Sequence, residues 1–486
     1  MSRVVVIGAG VGGLASAARL AALGHDVTIC ESASQVGGKL GTVSAQGFTF
    51  DTGPSLLTLP QVFRELFTAT GDSLDSVLDL RAVEPIARYR FADGTRLDLS
   101  ADLDRFCDDL EDAFGGSAGD DWRRFMLRAE RIWDATHGPF LESPLHGVRS
   151  LVRQAWRVGD LRAVAPSRSL RSLGRQYLQD PRLRMFLDRY ATYTGSDPRH
   201  SPAALAVIPY VEQTFGAWYV DGGLHLLATA IADRAAERGA EIRLGVEVAG
   251  IDVDGGRVSG VTLADGSRVP ADVVVANADA AVVYGKLLPH RRATASARRR
   301  LSRTTPSLSG FAVMLGLRGR TPELTHHTVL FPTDYDAEFD AVFGGQPAQE
   351  PTVYLSAPGD PAGAPQGDEA WFVLVNAAPN GPVDWDSQAG YADHVLDLLA
   401  QRGLDVRDRI VVREVRSPAD LERLTGSPGG SIYGGSSHGM MAAFLRPANA
   451  SAIKGLFLVG GSAHPGGGLP LVTLSARIVA GLVGPA

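Results

Sequence analysis

Gly8, Gly10 and Gly13 stand in the spacing G-x-G-x-x-G, and Glu31 follows them at the end of a second apolar run. Residue types in this order can hold a dinucleotide. Gly8 permits a tight turn, Gly10 lets the backbone approach a pyrophosphate, and Gly13 lets a helix lie close on a strand. A helix opening behind the turn offers free N–H groups and a partial positive charge to phosphate. A carboxylate at Glu31 can bind ribose hydroxyls and disfavours a 2′-phosphate. Gly37, Gly38 and Lys39 come soon after. The chain has only three lysines against 44 arginines, and a cation behind a glycine pair suits a pyrophosphate or a flavin edge.

A second glycine-rich turn lies near the other end, in LFLVGGSAHPGGGLPLVTLSARIVAGL (456–482). Gly460, Gly461 and Ser462 end a strand where a ribityl chain and phosphate can pass. A helix beginning near Leu471 would aim its N-terminus at a flavin pyrimidine ring. Reduced flavin is negative there, and a helix dipole favours that charge by ~0.3–1 kcal/mol. A nicotinamide needs no such turn. The two ends together imply FAD.

Positioning these residues requires a strand–turn–helix–strand unit, which VVVIGAGVGGLASAARLAALGHDVTICE (4–31) supplies. From about 60 to 205 the pattern reads as mostly helical. A second unit spans 220–285, with a helix at 223–238 and strands in IRLGVEVAGIDVD, RVSGVTLA and SRVPADVVVANA. Asp254-Gly255-Gly256 and Asp265-Gly266 are hairpin turns between them. Residues 307–318 and 370–377 read as strands of another sheet. The expected architecture is α/β, with a Rossmann-type domain assembled from separate stretches and an inserted α+β substrate domain. The boundaries expected are 1–90, 206–300 and 431–486 for the three cofactor-binding parts. A helical, membrane-facing region occupies 91–205 and the substrate sheet 301–430.

A chain of 486 residues with a net charge of −7 and no basic domain is not expected to bind nucleic acid. Two cysteines, Cys30 and Cys107, offer neither a metal cluster nor a disulfide framework, so a reducing compartment is expected. The adjacent His326 and His327 point apart in any regular element and make a poor metal site. Four glycines and Arg19 make the N-terminus a poor signal peptide. No run approaches the ~20 apolar residues of a membrane span.

Beyond the bare glycine pattern, GGK, FDTGPSLLTLP, YATYTGSDPRHSPAALAVIPYVE, YVDGGLHLLATAIADRAAERGAEIRLGVEV and GLFLVGGSAHPGGGLPLVTLSARIVAGL resemble bacterial carotenoid desaturases of the phytoene desaturase type. SIYGGSSHGMMAAFLRP (431–447) is similar to their hydroxycarotenoid 3,4-desaturase branch. The resemblance implies an amine-oxidase-like FAD fold and an enzyme that transfers a hydride from a polyene to flavin N5, with a proton lost from the adjacent carbon. It assigns Gly8, Gly10, Gly13 and Glu31 to the adenosine diphosphate half and Gly38 and Lys39 to the pyrophosphate and flavin. Val248 falls at the adenine, Gly53 and Pro54 at the flavin face, and Gly461, Ser462, Leu471 and Val472 at the ribityl chain and pyrimidine. Asp51, Glu212 and His464 are the candidate proton acceptors near that flavin, although a polyene stabilises developing positive charge and needs no strong base.

The partners implied are an apolar carotenoid, a membrane surface, and oxygen or a quinone as electron acceptor. Ten arginines between 149 and 189, against three aspartates, form the expected docking face. Arg149, Arg153 and Arg157 recur there at helical spacing. The location expected is the cytoplasm, peripheral on the inner face of the membrane. A flavin oxidase of an amine, or a redox-neutral isomerase or a saturase, is the competing reading on the same fold. The aromatic pair that an amine oxidase needs has one candidate, Trp218-Tyr219.

Overall fold

Val4, Val5 and Val6 are β-branched and at most 1% exposed, because their strand, Arg3–Ile7, is covered on both faces. A computed structural model describes residues 1–145, 165, 167–288, 292–439 and 446–486. In it Arg3–Ile7 is the centre of a five-stranded parallel sheet. The order is Leu456–Leu458, Val273–Ala276, Arg3–Ile7, Asp26–Glu31, Glu241–Leu244. Three distant stretches of sequence therefore meet in one sheet. Helices Val11–Ala22, His225–Glu237 and Leu469–Val483 pack together on one face through Leu14, Ala18, Leu227, Ile231, Ala476 and Val479. Small residues let these helices approach closely. A three-stranded meander, Val248–Asp254, Arg257–Leu263 and Arg268–Pro270, stands beside the other face.

A second, mixed sheet has seven strands, in the order Ile410–Arg416, Ser309–Leu317, Glu369–Ala377, Val353–Ser356, His327–Leu330, Ala87–Arg90, Arg96–Leu99. Its long central strand, Ser309–Leu317, is buried throughout. Helices Leu103–Phe114, Ala118–Thr136 and Pro181–Asp188 form an aromatic core with the last two strands, around Phe106, Trp122, Phe125, Phe186 and Tyr89. Tyr89 meets Phe186 edge-on at 4.8 Å.

The strands Leu80–Val83, Ala87–Arg90 and Arg96–Leu99 interrupt the stretch expected to be mostly helical. ARYR and RLDL carry too little apolar alternation to announce themselves. They are strands because Ala87–Arg90 pairs in parallel with His327–Leu330, over two hundred residues away. The final helix starts at Leu469 rather than near Leu471, with Pro470 in its first turn.

Four of the arginines expected on a docking face, Arg149, Arg153, Arg157 and Arg162, lie outside the described residues. Of the others, three are paired or buried. Arg171 pairs with Asp188 and Asp336, Arg182 pairs with Asp93 and Asp180, and Arg189 is buried among tyrosines. Among the described residues no helix is long and apolar enough to cross a membrane.

Candidate active site

The first glycine-rich turn is closed by backbone contacts that only glycine tolerates. A Cβ on Gly13 would lie 2.1 Å from the Gly8 carbonyl oxygen, and Gly8 itself has φ +93°. The helix Val11–Ala22 follows Gly10 with no capping side chain of its own and no acid in its first turn. Asn277, at the end of the neighbouring strand, reaches across with its amide oxygen accepting from the N–H groups of Gly10 (3.2 Å) and Gly13 (3.3 Å). Glu31 arrives at the same turn. Its Oε2 accepts from the Ala9 N–H at 2.6 Å and its Oε1 from the Ala33 N–H at 2.8 Å. The Val246 N–H bonds to the Glu31 carbonyl, which brings Val248 and the meander beside this end of the sheet.

The remaining motifs converge on the turn. Gly37 bridges to Gly10, and a Cβ on Gly38 would lie 3.2 Å from the Gly10 Cα. Gly53 sits against the Lys39 carbonyl so closely that a Cβ would overlap it at 1.8 Å. Gly460 faces Gly12, 3.4 Å from where a Cβ there would stand. Ser462 Oγ accepts from the Ala280 N–H at 2.9 Å. Of the Leu471 and Val472 amides, that of Val472 is bonded to the Gly468 carbonyl within the first turn of its own helix.

Two cations border this cradle. Lys39 Nζ donates to the carbonyl oxygens of Ser431 (2.9 Å) and Ile432 (2.8 Å). Arg446 donates to the carbonyls of Tyr433 (3.0 Å), Gly461 (2.7 Å) and Gly435 (3.2 Å). Among the described residues neither has a carboxylate at ion-pair distance; Asp279 is the acid near both. Burial pulls the Lys39 ammonium down to about 8 and the Arg446 guanidinium down to about 10, with Asp279 partly offsetting it. Two cations held on carbonyl dipoles, beside a glycine cradle and the start of helix Leu469–Val483, which no side chain caps, are complementary to a diphosphate and a reduced flavin. The residues present therefore fit FAD. Sequence reasoning missed Asn277, Asp279 and Arg446, whose only signal was position at the ends of motifs already singled out.

The three candidate proton acceptors each have hydrogen-bond partners of their own. Asp51 accepts from the Leu224 (2.8 Å) and His225 (3.1 Å) N–H groups and so fixes the start of helix His225–Glu237. Burial raises its carboxyl, and those two N–H bonds lower it again. Glu212, 1% exposed, accepts from the hydroxyls of Tyr190 (2.8 Å) and Tyr193 (2.9 Å). Burial raises this carboxyl too, against the tyrosines and Arg189. His464 is fully buried edge-on to Phe140, with Nε2 2.9 Å from the Ser143 carbonyl. Burial lowers its imidazole to about 4.

His464 is expected to stay neutral from pH 8 down to 5, read from its imidazole resonances in histidine-labelled protein. An unfolded histidine takes its proton near 6.5 and the folded ring only near 4. The stability this buried neutral ring contributes is thus present above pH ~6.5 and lost as pH falls toward 4. A titration midpoint close to 6.5 would place the ring in water and contradict its burial.

Trp218 and Tyr219 lie consecutively on the strand Ala217–Val220 and point to opposite sides. Trp218 donates to the Phe215 carbonyl, and Tyr219 donates to Asp360 at 3.1 Å. They form no cage.

The model of the family described as flavin containing amine oxidoreductase matches residues 11–484. The chain is 36% identical to a 4,4'-diapolycopene oxygenase from Methylomonas sp, covering 98% of this chain and 97% of that protein. It is 35% identical to a hydroxyneurosporene desaturase from Cereibacter sphaeroides, covering 98% and 96%. Among solved structures, wild-type putrescine oxidase bound to putrescine superimposes with a TM-score of 0.64 over 99% of both chains, at 16% identity. That last likeness speaks for the fold alone.

Proposed function

This chain belongs to the flavin-containing amine oxidoreductases and, within them, to the FAD-dependent carotenoid desaturases, and from that membership we propose that it introduces double bonds into a carotenoid or similar apolar polyene. When bound, FAD supplies the acceptor for a hydride, its N5, while the adjacent carbon of the polyene gives up a proton. The chain's own residues bind, orient and enclose. Gly8, Gly10, Gly13 and Glu31 hold the adenosine diphosphate half, with Val248 at the adenine. Gly38, Lys39 and Arg446 face the diphosphate and flavin. Gly53, Pro54, Gly461, Ser462, Leu471 and Val472 surround the ribityl chain and ring.

The observation that carries this reading is the engagement of every candidate base. Asp51 holds a helix start, Glu212 holds two tyrosine hydroxyls, and His464 is a neutral, weakly basic ring in an enclosed site. An amine oxidase needs an aromatic cage, and the expected pair points apart. A polyene needs neither cage nor strong base, because conjugation spreads the charge that develops. Enclosure and register are what it asks of the protein.

The test is anaerobic incubation of FAD-loaded protein with liposomes carrying phytoene, neurosporene or hydroxyneurosporene. Bleaching of the flavin's visible band together with a more conjugated product is expected. Bleaching by putrescine or another amine, with no polyene turned over, would overturn the proposal and leave the fold.

A further inference from the structure

Between Asp279 and Glu323 the sequence holds eight arginines and one lysine and no acidic residue. The fold concentrates four of these arginines in one short segment, the turn Arg292–Thr294 with the helix Ala295–Leu301 behind it. Arg292, Arg299, Arg300 and Arg303 are exposed there. Among the described residues none of the four has a carboxylate at ion-pair distance. Exposed arginines elsewhere in the chain do: Arg81 pairs with Asp221, Arg407 with Asp405 and Arg423 with Asp386. Within the same stretch Lys286 pairs with Glu247, and Arg298 bonds to Thr294 and the Leu288 carbonyl. Four cations left in water without counter-charges depart from the habit of this surface.

Beside the helix lies a cavity of ≈ 160 Å³. Arg300, Ser296, Tyr284 and Ser451 are in its wall, and Ala297, Leu301 and Pro447 line it with apolar surface. Ser451 Oγ already accepts from the Tyr284 hydroxyl and the Ile453 N–H, both at 3.3 Å, so its own proton is free to be donated. The Ser296 hydroxyl and the Arg300 guanidinium make no hydrogen bond among the described residues. The cavity thus offers a positive charge, hydroxyl donors and an apolar wall, with no acid in its lining. It also adjoins the flavin cradle along the chain. Pro447 follows Arg446, and Pro306 bridges to Gly435, whose carbonyl accepts from Arg446.

We propose that this cavity binds the phosphate headgroup of an anionic lipid, and that the arginines around it seat the protein on a membrane at this face. A lipid phosphate is an anion that only accepts hydrogen bonds, so it takes the Arg300, Ser296 and Ser451 donors together. The glycerol and first acyl carbons then lie against Leu301, Ala297 and Pro447. A free phosphate satisfies the donors and leaves that apolar wall in water, which favours the lipid. The chain as a whole carries a charge of −7 and is repelled by an anionic surface, so attachment needs a local reversal of this kind. This face is separate from the arginines between 149 and 189.

The experiment measures cosedimentation of FAD-loaded protein with phosphatidylcholine vesicles, with and without phosphatidylglycerol, at ~0.1 M salt. Wild type is expected to bind the phosphatidylglycerol vesicles at least tenfold more tightly. Arg299→Gln/Arg300→Gln is expected to lose about fivefold for each arginine removed. Arg168→Gln/Arg175→Gln, which removes the same charge from exposed positions elsewhere, is expected to bind as wild type does. Ala297→Leu fills the cavity, keeps every charge, and is expected to weaken binding with FAD content unchanged. Equal binding to both vesicles, equal losses in the two arginine pairs, or full binding by Ala297→Leu overturns the proposal. Displacement by inorganic phosphate at matched ionic strength makes the site one for free phosphate and overturns the lipid assignment. Binding to neither vesicle leaves the face to an acidic protein and overturns it as well. The assay involves no turnover, so its outcome is independent of the desaturase reading.

Discussion

Gly461→Ala is expected to fold normally and yet bind FAD at least tenfold more weakly, whereas Gly13→Ala is expected to lose both cofactor and stability. The two glycines differ in what surrounds them. At Gly13 a methyl group would lie 2.1 Å from the Gly8 carbonyl oxygen, which is backbone and cannot turn aside. The helix Val11–Ala22 would have to lift from the strand Arg3–Ile7. Overpacking of this kind costs ~1–3 kcal/mol or more and opens the core where three helices meet. At Gly461 the nearest atom to an added Cβ is the Gly467 Cα at 3.4 Å, an ordinary contact. The protein has room for that methyl; the proposed ribityl chain does not. The ratio of flavin absorbance to protein, with thermal midpoints of the apoproteins, separates the two cases. Full flavin content in Gly461→Ala would move the ribityl chain away from this turn. Full flavin content in Gly13→Ala would remove the packing argument.

Glu212→Ala is expected to be among the most destabilising single changes in the chain. The carboxylate is the shared acceptor for the Tyr190 and Tyr193 hydroxyls and the nearest counter-charge to Arg189. Its removal leaves two buried hydroxyls short of a partner and one buried cation uncompensated. Breaking a buried charge network from one side costs ~3–5 kcal/mol. Glu212→Gln keeps an acceptor oxygen and the volume, so it should lose much less. Thermal unfolding of the two variants beside wild type measures this. A midpoint for Glu212→Ala within one degree of wild type would mean that water reaches the cluster and that its burial is not real.

How much was legible beforehand follows from the range of each interaction. Gly8 to Glu31 could be read because strand, turn, helix and acid are neighbours in sequence and their spacing is set by backbone geometry alone. The meander was legible for the same reason, since Asp254-Gly255-Gly256 and Asp265-Gly266 place positive-φ glycines in its hairpins. Ala87–Arg90 and Arg96–Leu99 were not, because ARYR and RLDL become strands only when His327–Leu330 lies beside them. Asp51 and His464 looked like chemistry from their motifs. What the sequence could not give was their surroundings, two N–H groups at a helix start for Asp51 and a buried, weakly basic ring beside Phe140 for His464, because burial and hydrogen-bond partners are set by tertiary packing.

The sequence by itself determined the sheet-and-turn unit that receives a dinucleotide, the second turn that implies a flavin, and the family. These rest on local backbone chemistry that leaves a fixed spacing of glycines. Only the tertiary structure decided that Lys39 and Arg446 border one cradle and that Arg189, Tyr193, Glu212, Tyr354 and His327 form one polar cluster. Those residues come from segments scattered between positions 39 and 446. Nothing in their spacing links them, because their proximity arises from the packing of the mixed sheet against the flavin motifs.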